Sequence, residues 1–521
     1  MSPTPQRHPA SAPIGPVDRL RTAFAGAILL LAAVVGPAAT RGRAEEAPAG
    51  EVLTFTFASS AIFPGTVREY WVYVPARYDG KTPACVHVNQ DGIQFDAPKV
   101  FDRLIHEGKM PMTIGVFVMH GRVPAGREGA LDRYNRSYEY DGLGSDYARF
   151  LLDELLPDVE TRKASDGRAI VLSKKGADRS IGGTSSGAIA AFTAAWERPD
   201  AFTRVFSGIG TYVGLRGGNE YPTLLRKTEP KPIRVFLQGG EKDLNIYGGD
   251  WWIANQAMER SLAFAGYEVK HAWGDGGHDN RHATEVFPAA MEWLWSGWPA
   301  APGRGAGSTQ LQEILLPGEE WRLVGEGYRE IGELSVDGAG AVAFTDADGA
   351  AWRVGDDWKA ERAKPGEKPA TAGADRGAGI DADGAAACLS PDRTLLYVAD
   401  AESHWVYSSS LAPNGAITNR QRYYHLHVPD DADDAGATGL RVDRDGRLWV
   451  ATRMGLQVCD QAGRVNCIIP PPAGRVTRLC FAGSGFDNVV VSCGDKLYAR
   501  KLKVRGMEAF DSAVTPAKPR L

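Results

Sequence analysis

The sequence predicts two fold classes in series, an α/β domain with a mainly parallel sheet and then an all-β domain. Three observations predict this. Strand-like and helix-like segments alternate from about residue 50 to about residue 300. A Pro/Gly/Ala-rich stretch, residues 299–309, then reads as a linker. Beyond it, turns such as Asp337-Gly338 and Asp443-Arg444-Asp445-Gly446 punctuate short strands. Their irregular spacing, about 40 to 50 residues, is that of propeller blades.

The elements follow in order. Residues 1–44 read as an export signal. Arg19 and Arg21 precede an apolar run from Ala23 to Val35, and Gly42-Arg43-Ala44 puts small residues before Glu45. An uncleaved anchor or leader is the alternative, although the apolar run is short for a membrane span. The α/β domain then occupies residues 45–298. Residues 68–75, 84–88 and 113–118 are apolar runs that read as strands, the second ending in Asn89-Gln90-Asp91-Gly92. Residues 146–156 carry Tyr147, Phe150, Leu151 and Leu155 at helical spacing. Residues 232–240 read as a buried strand ending in glycines, and residues 267–273 alternate as a strand. The all-β domain spans residues 310–506 and a tail spans 507–521. Residues 361–379, rich in Ala, Gly, Lys and Pro, read as unstructured.

Composition sets limits. A chain of 521 residues is too long for one ordinary domain. A net charge of −5 gives no electrostatic case for nucleic acid. Five of the six cysteines lie in the C-terminal part, at spacings that match no zinc pattern. They leave two readings open, one or two disulfides or buried thiols.

The chemistry centres on Gly183-Thr184-Ser185-Ser186-Gly187, followed by a small-residue helix from Ala188 to Trp196. Gly-x-Ser-x-Gly on a strand-to-helix turn holds a serine hydroxyl exposed on a sharp bend. A serine needs a base to take its proton, and the base needs an acid to fix its tautomer. Downstream, Asp243 follows the glycines that end residues 232–240, and His278 follows Gly276-Gly277. The reading is Ser185 as nucleophile, His278 as base and acid, and Asp243 as orienter. Glu241 and Asp250 compete with Asp243, but Asp250 fits better as the cap of a helix at Trp251. His271 reads as a packed strand residue, and His282 as a neighbour of His278. His278 and His282 have helical metal spacing without a third ligand, so no metal is expected. The oxyanion donors are expected at Ser186 N–H and on the Gln90-Asp91-Gly92 loop, from Asp91 or Gly92.

These segments, with Ala195-Trp196-Glu197-Arg198-Pro199-Asp200-Ala201-Phe202 and Gly240-Glu241-Lys242-Asp243, resemble the esterase-D-like branch of the α/β-hydrolases. That branch includes enterochelin esterases and carbohydrate esterases. The resemblance covers residues 50 to 298. It implies an α/β-hydrolase fold and ester hydrolysis through an acyl-enzyme, with no cofactor. Its substrate would be a small-molecule or polysaccharide ester. Residues 135–141 resemble the family's stretch beside the active site, where Arg136 and Glu139 are candidate substrate contacts. Trp251 and Trp252 are candidate cleft residues. Ala188 departs from the family, which often carries glycine there.

Residues 310 to 506 resemble the gluconolactonase/senescence-marker-protein family of propellers. The resemblance rests on Leu389-Ser390-Pro391-Asp392, residues 395–400 and 446–452, and Gly455-Leu456-Gln457-Val458-Cys459-Asp460. That family's function depends on a divalent cation held by Glu, Asn and Asp. Here those positions fall at Gly332 (Glu333 is adjacent), Ala385 and Thr438. Too few anionic oxygens remain for a hard cation, so no metal is expected. The length suits about four blades, a shortened propeller. It could close as a smaller ring, stay open, or complete itself against the first domain. Asp430-Asp431-Ala432-Asp433-Asp434 reads as a solvated acidic turn, with calcium binding as the alternative. The sequence thus points to an exported serine ester hydrolase with a structural or binding propeller. The rival readings are a non-catalytic extracellular glycan-binding protein and a metal-dependent lactonase.

Overall fold

The computed structural model describes residues 46–363 and 386–519. The expected export signal and most of the Ala/Gly/Lys/Pro stretch, with Ala385, lie outside them. Among the described residues no helix is long and apolar enough to cross a membrane.

The first region is an eight-stranded sheet built from β1 (Glu51–Phe57), β2 (Arg68–Val74), β3 (Cys85–Gln90), β4 (Thr113–Val118), β5 (Arg179–Thr184), β6 (Arg204–Gly208), β7 (Arg234–Gly240) and β8 (Glu268–Gly274). Its order is β1-β2-β4-β3-β5-β6-β7-β8. β1 and β2 pair antiparallel, as do β2 and β4, and every other neighbour is parallel. β3, β4, β5 and β6 are buried along their whole length, which is why they read as continuous apolar or small-residue runs. α1 (Ala97–His106), α2 (Arg136–Tyr140), a helix over 146–160, α3 (Ser186–Glu197), α4 (Tyr221–Lys227), α5 (Trp251–Ala265) and α6 (Arg281–Trp295) cover or edge the sheet. The helix expected over 146–156 forms, with a π turn at Phe150–Leu155 before Leu156–Glu160. Pro157 has no N–H and its ring crowds the carbonyl four residues earlier; the wider turn relieves both.

The second region is all β. Among the described residues it holds four four-stranded antiparallel sheets. One contains Ser335–Val336, Val342–Thr345, Ala351–Val354 and Ala360–Arg362. The next contains Ala387–Leu389, Leu395–Ala399, Trp405–Leu411 and Ile417–His425. The third contains Gly439–Val442, Leu448–Thr452, Gly455–Cys459 and Val465–Ile469. In the fourth, Val476–Ala482, Asn488–Cys493 and Lys496–Lys501 are completed by Arg322–Glu326 from the start of the region. Four propeller-like blades are what the length predicts.

The recurring Asp turns have one local cause. Asp337, Asp346, Asp443 and Asp460 each accept, through Oδ1, the N–H groups two and four residues on, at 2.9–3.1 Å. The side chain thereby mimics a backbone turn. The residue three after each is a glycine at φ 76° to 88°, where a side chain would be strained. Asp346 and Asp443 also accept an indole N–H, from Trp352 (2.9 Å) and Trp449 (3.1 Å), tying each turn to the aromatic strand after it.

The two regions share one apolar cluster, which runs from Tyr221 and Leu225 to Tyr424 and Leu440. Thr228 pairs with Ile468 in a parallel bridge, and Glu229 N–H donates to Ile468 O at 2.9 Å. Arg500, almost fully buried, grips the Glu229 carboxylate with two hydrogen bonds of 2.7 and 2.8 Å. All six cysteines are buried. Cys459, Cys467, Cys480 and Cys493 form no disulfide and so follow the buried-thiol reading; burial pushes the Cys85 and Cys467 thiols up to about 12.

Candidate active site

Parallel strands end on one edge of the sheet, and loops on that edge can bring distant residues together. β5, β7 and β8 deliver Ser185, Asp243 and His278 in this way. His278 Nε2 lies 2.9 Å from Ser185 Oγ, and His278 Nδ1 lies 2.6 Å from Asp243 Oδ1. The Asp243 side chain is buried, whereas that of His278 is 22% exposed. The imidazole is therefore open to a ligand while the carboxylate it bonds is shielded from water.

Each position has a local cause. Ser185 sits at φ 57°, ψ −125°, between β5 and α3. This is a strained conformation for serine, held because the surroundings over-determine it. A Cβ on Gly183 would lie 2.7 Å from the Gly187 carbonyl carbon, and one on Gly187 would lie 3.0 Å from Gln90 Cβ. Both motif glycines are thus required by close approach. Ala188 is fully buried and fits. The Asp and His loops are laced together. Glu241 N–H donates to Gly274 O at 2.8 Å and Lys242 N–H to Gly276 O at 3.0 Å. A Cβ on Gly240 would lie 2.2 Å from Gly276 O. Asp243 Oδ1 also accepts Leu244 N–H at 2.7 Å, which sets the carboxylate's direction.

The structure resolves several competing readings. Asp250 caps α5 by accepting Ile253 N–H at 3.0 Å, as expected. His271 is not a packed residue: its side chain is 41% exposed and its ring stacks on Trp273 at 4.7 Å. His282 Nδ1 faces Gln238 Nε2 at 3.1 Å, one layer behind the site. No group of three His, Cys, Asp or Glu side chains suited to a metal ion occurs among the described residues.

Three site expectations need correction. Glu139 is no substrate contact. It is buried and ion-paired to the equally buried Arg68 at 2.7 Å, and it accepts Gly121 N–H and Asn135 Nδ2–H. Trp251 is buried beneath the site rather than lining it. Its ring meets His278 edge-on at 5.9 Å and its N–H donates to Thr211 Oγ1 at 3.3 Å. Trp252, by contrast, is only half-buried and meets Trp273 edge-on at 5.4 Å, which does not contradict its reading as a cleft residue. On the loop after β3, Gly92 N–H donates to Val118 O at 3.3 Å, so it is engaged and cannot also serve an oxyanion; Asp91 N–H faces Tyr140 Oη at 3.4 Å. Ser186 N–H and the next loop amide, that of Ile93, have no acceptor among the described residues. Arg136 holds Asp91 through a fork of bonds, the shortest 2.7 Å, and its side chain remains 36% exposed.

Sequence reasoning missed Thr211 and Asn255. Thr211 Oγ1 lies 3.3 Å from Ser185 Oγ and its N–H donates to Ser185 O at 3.2 Å. Asn255 holds the preceding turn through both Gly210 N–H and Gly210 O, at 3.2 and 2.9 Å. Neither belongs to a short motif. Asn255 alone left a trace, as a polar residue on the inward face of α5.

In the second region, Glu333 lies 3.3 Å from both Arg441 Nη2 and Arg478 Nε. Thr438 Oγ1 donates to Thr477 O at 2.8 Å. The carboxylate and the hydroxyl at those two positions are thus engaged by protein groups.

The fold and this constellation define an α/β region with a Ser-His-Asp relay, joined to a propeller-like region. Comparison with known proteins agrees. Residues 61–290 match the family described as "Putative esterase", and residues 332–494 match "SMP-30/Gluconolactonase/LRE-like region". Regucalcin of Danio rerio is 28% identical over 81 residues, which are 15% of this chain and 26% of that protein. The chain thus spans about a quarter of that relative's length. Among solved structures, a ferulic acid esterase has a TM-score of 0.37 and 18% identity, covering 47% of this chain and 98% of its own. The enterobactin esterase of Shigella flexneri has a TM-score of 0.36 and 20% identity, covering 48% and 62%.

Proposed function

We propose that this protein is an exported serine carboxylic-ester hydrolase that works through an acyl-enzyme. The observation that carries the reading is the unbroken line of hydrogen bonds from Asp243 through His278 to Ser185 Oγ, on a strained strand-to-helix turn. His278 Nε2 accepts the serine proton as Oγ attacks the ester carbonyl, then returns it to the departing alcohol. Asp243 keeps the other proton on Nδ1 and stabilises the imidazolium. The developing oxyanion is received by Ser186 N–H and an amide of the loop after β3. Water then repeats the sequence and releases the acid. The ester is one on a carbohydrate, an aromatic acid or a siderophore, and no cofactor enters the chemistry. Export rests on the pattern of the first 44 residues.

The test is labelling of the protein from Glu45 onward with a fluorophosphonate probe, wild type beside Ser185→Ala. Labelling and ester turnover confined to the wild type are expected. A folded wild type that neither labels nor turns over esters overturns the reading.

A further inference from the structure

The acidic turn of the second region is where that region reaches the catalytic rim. Asp430 Oδ2 accepts Leu143 N–H at 3.1 Å and lies 3.6 Å from Arg216 Nη2. Arg216 in turn donates to Tyr138 O at 3.2 Å, with its guanidinium 5.5 Å from the centre of the Tyr138 ring. Both tied segments belong to the site. Residues 136–143 begin with Arg136, which holds Asp91, and include Tyr138, 62% exposed. Residues 211–216 begin with Thr211, whose hydroxyl touches Ser185. One carboxylate from the propeller-like region thus joins the two walls that flank the nucleophile. The base of that region is anchored independently through Glu229–Arg500 and the Thr228–Ile468 bridge, so Asp430 is presented from a fixed body. Asp431 also approaches this segment, its Cβ lying 3.9 Å from where a Cβ on Gly144 would be, but among the described residues no hydrogen bond ties it there. Asp434 is committed to Arg453 at 2.9 Å.

We propose that Asp430 is a positioning residue that sets the rim of the Ser185 site for esters with a bulky acyl group. It acts by fixing Tyr138 and the segment carrying Arg136. The inference rests on the esterase reading and gives the second region a role in it. A small ester reaches Ser185 without touching the rim. A larger acyl group lies along Tyr138 and depends on how that wall is held.

The experiment compares wild type, Asp430→Ala, Asp430→Glu and Arg216→Ala. The probes are p-nitrophenyl acetate and p-nitrophenyl 3-phenylpropanoate, which share a leaving group. In Asp430→Ala, the ratio of kcat/KM for the phenylpropanoate over the acetate should fall about threefold to fivefold, through KM, as suits a partly exposed ion pair with one added hydrogen bond. Asp430→Glu should recover part of it, and in the double variant Asp430→Ala/Arg216→Ala the loss should be less than the sum of the two single losses. Amide hydrogen exchange should quicken at residues 136–143 in Asp430→Ala. An unchanged ratio, an equal loss on both esters, or unchanged exchange at those residues overturns the proposal. Fluorophosphonate labelling of the same variants keeps this outcome separate from the esterase reading. A wild type that labels while the ratio stays flat refutes only the role of Asp430.

Discussion

Two clusters of charged and polar side chains in this molecule do opposite things. At the strand ends of the α/β region, Asp243 and His278 point in series at one hydroxyl, with the outer partner open to solvent. In the propeller-like region, Glu333 is met by Arg441 and Arg478, and the charges neutralise one another. In the first cluster the hydrogen bonds end on a reactive atom, whereas in the second they close on themselves. The fold of the second region does not depend on this cluster. Sheets are held by strand pairing, Asp turns and apolar packing, none of which needs the polar residues at the ligand positions.

The largest effects expected are on turnover and lie along the catalytic relay. Asp243→Asn keeps the shape of the orienter but presents the wrong partner to Nδ1. Loss of kcat on the order of 10⁴ is expected, with KM little changed, in steady-state ester hydrolysis. A loss below about tenfold would assign the orienting role elsewhere.

Next comes stability. Arg68 and Glu139 are both shielded from water, and Glu139 also satisfies Gly121 N–H. Glu139→Ala leaves a buried guanidinium uncompensated, which should cost about 3–5 kcal/mol in urea unfolding. If Glu139 were instead a substrate contact, the variant would raise KM and leave stability alone.

This pair also marks how far the sequence could be read. Ser185 and Asp243 stand close to Gly183 and Gly240, which close backbone approach requires, and those glycines are visible in the chain. The Asp turns are legible for the same reason, since each is complete within five residues. What stayed hidden depends on long-range packing. Glu139 and Arg136 sit three apart in one short helix, yet one turns inward to Arg68 and the other outward to Asp91. Trp251 and Trp252 are neighbours with different fates, because successive helix positions face different neighbours. Thr211 acquires its place only when β6 lies beside β5.

A smaller effect is set by pH. Burial drives His87 down to about 3, and burial together with nearby Lys227 drives His427 down to about 4, from the ordinary 6.5. Both are neutral in the folded chain and take up a proton more readily once unfolded. Their contribution is full above pH 6.5. It shrinks as pH falls, levelling near 4 for His427 and near 3 for His87. The loss approaches about 1.4 kcal/mol per pH unit for each. Replacing His427 by Gln should flatten the fall of stability between pH 6.5 and 4 without changing its course below 4. An unaltered slope would mean that His427 takes up its proton as readily in the folded chain as in the unfolded one.

The smallest effect belongs to the second cluster and sharpens the contrast most directly. The Glu333 side chain is 44% exposed, so its bonds to Arg441 and Arg478 compete with water and salt. Glu333→Gln should shift stability by about 0–1 kcal/mol, where Glu139→Ala costs several times more. If Glu333 serves as a counter-ion to the two arginines, ester turnover should be as insensitive to EDTA in this variant as in the wild type. A turnover that EDTA abolishes in the wild type would instead reassign Glu333 as a metal ligand. The two clusters would then be two catalytic sites rather than one site and one set of ion pairs.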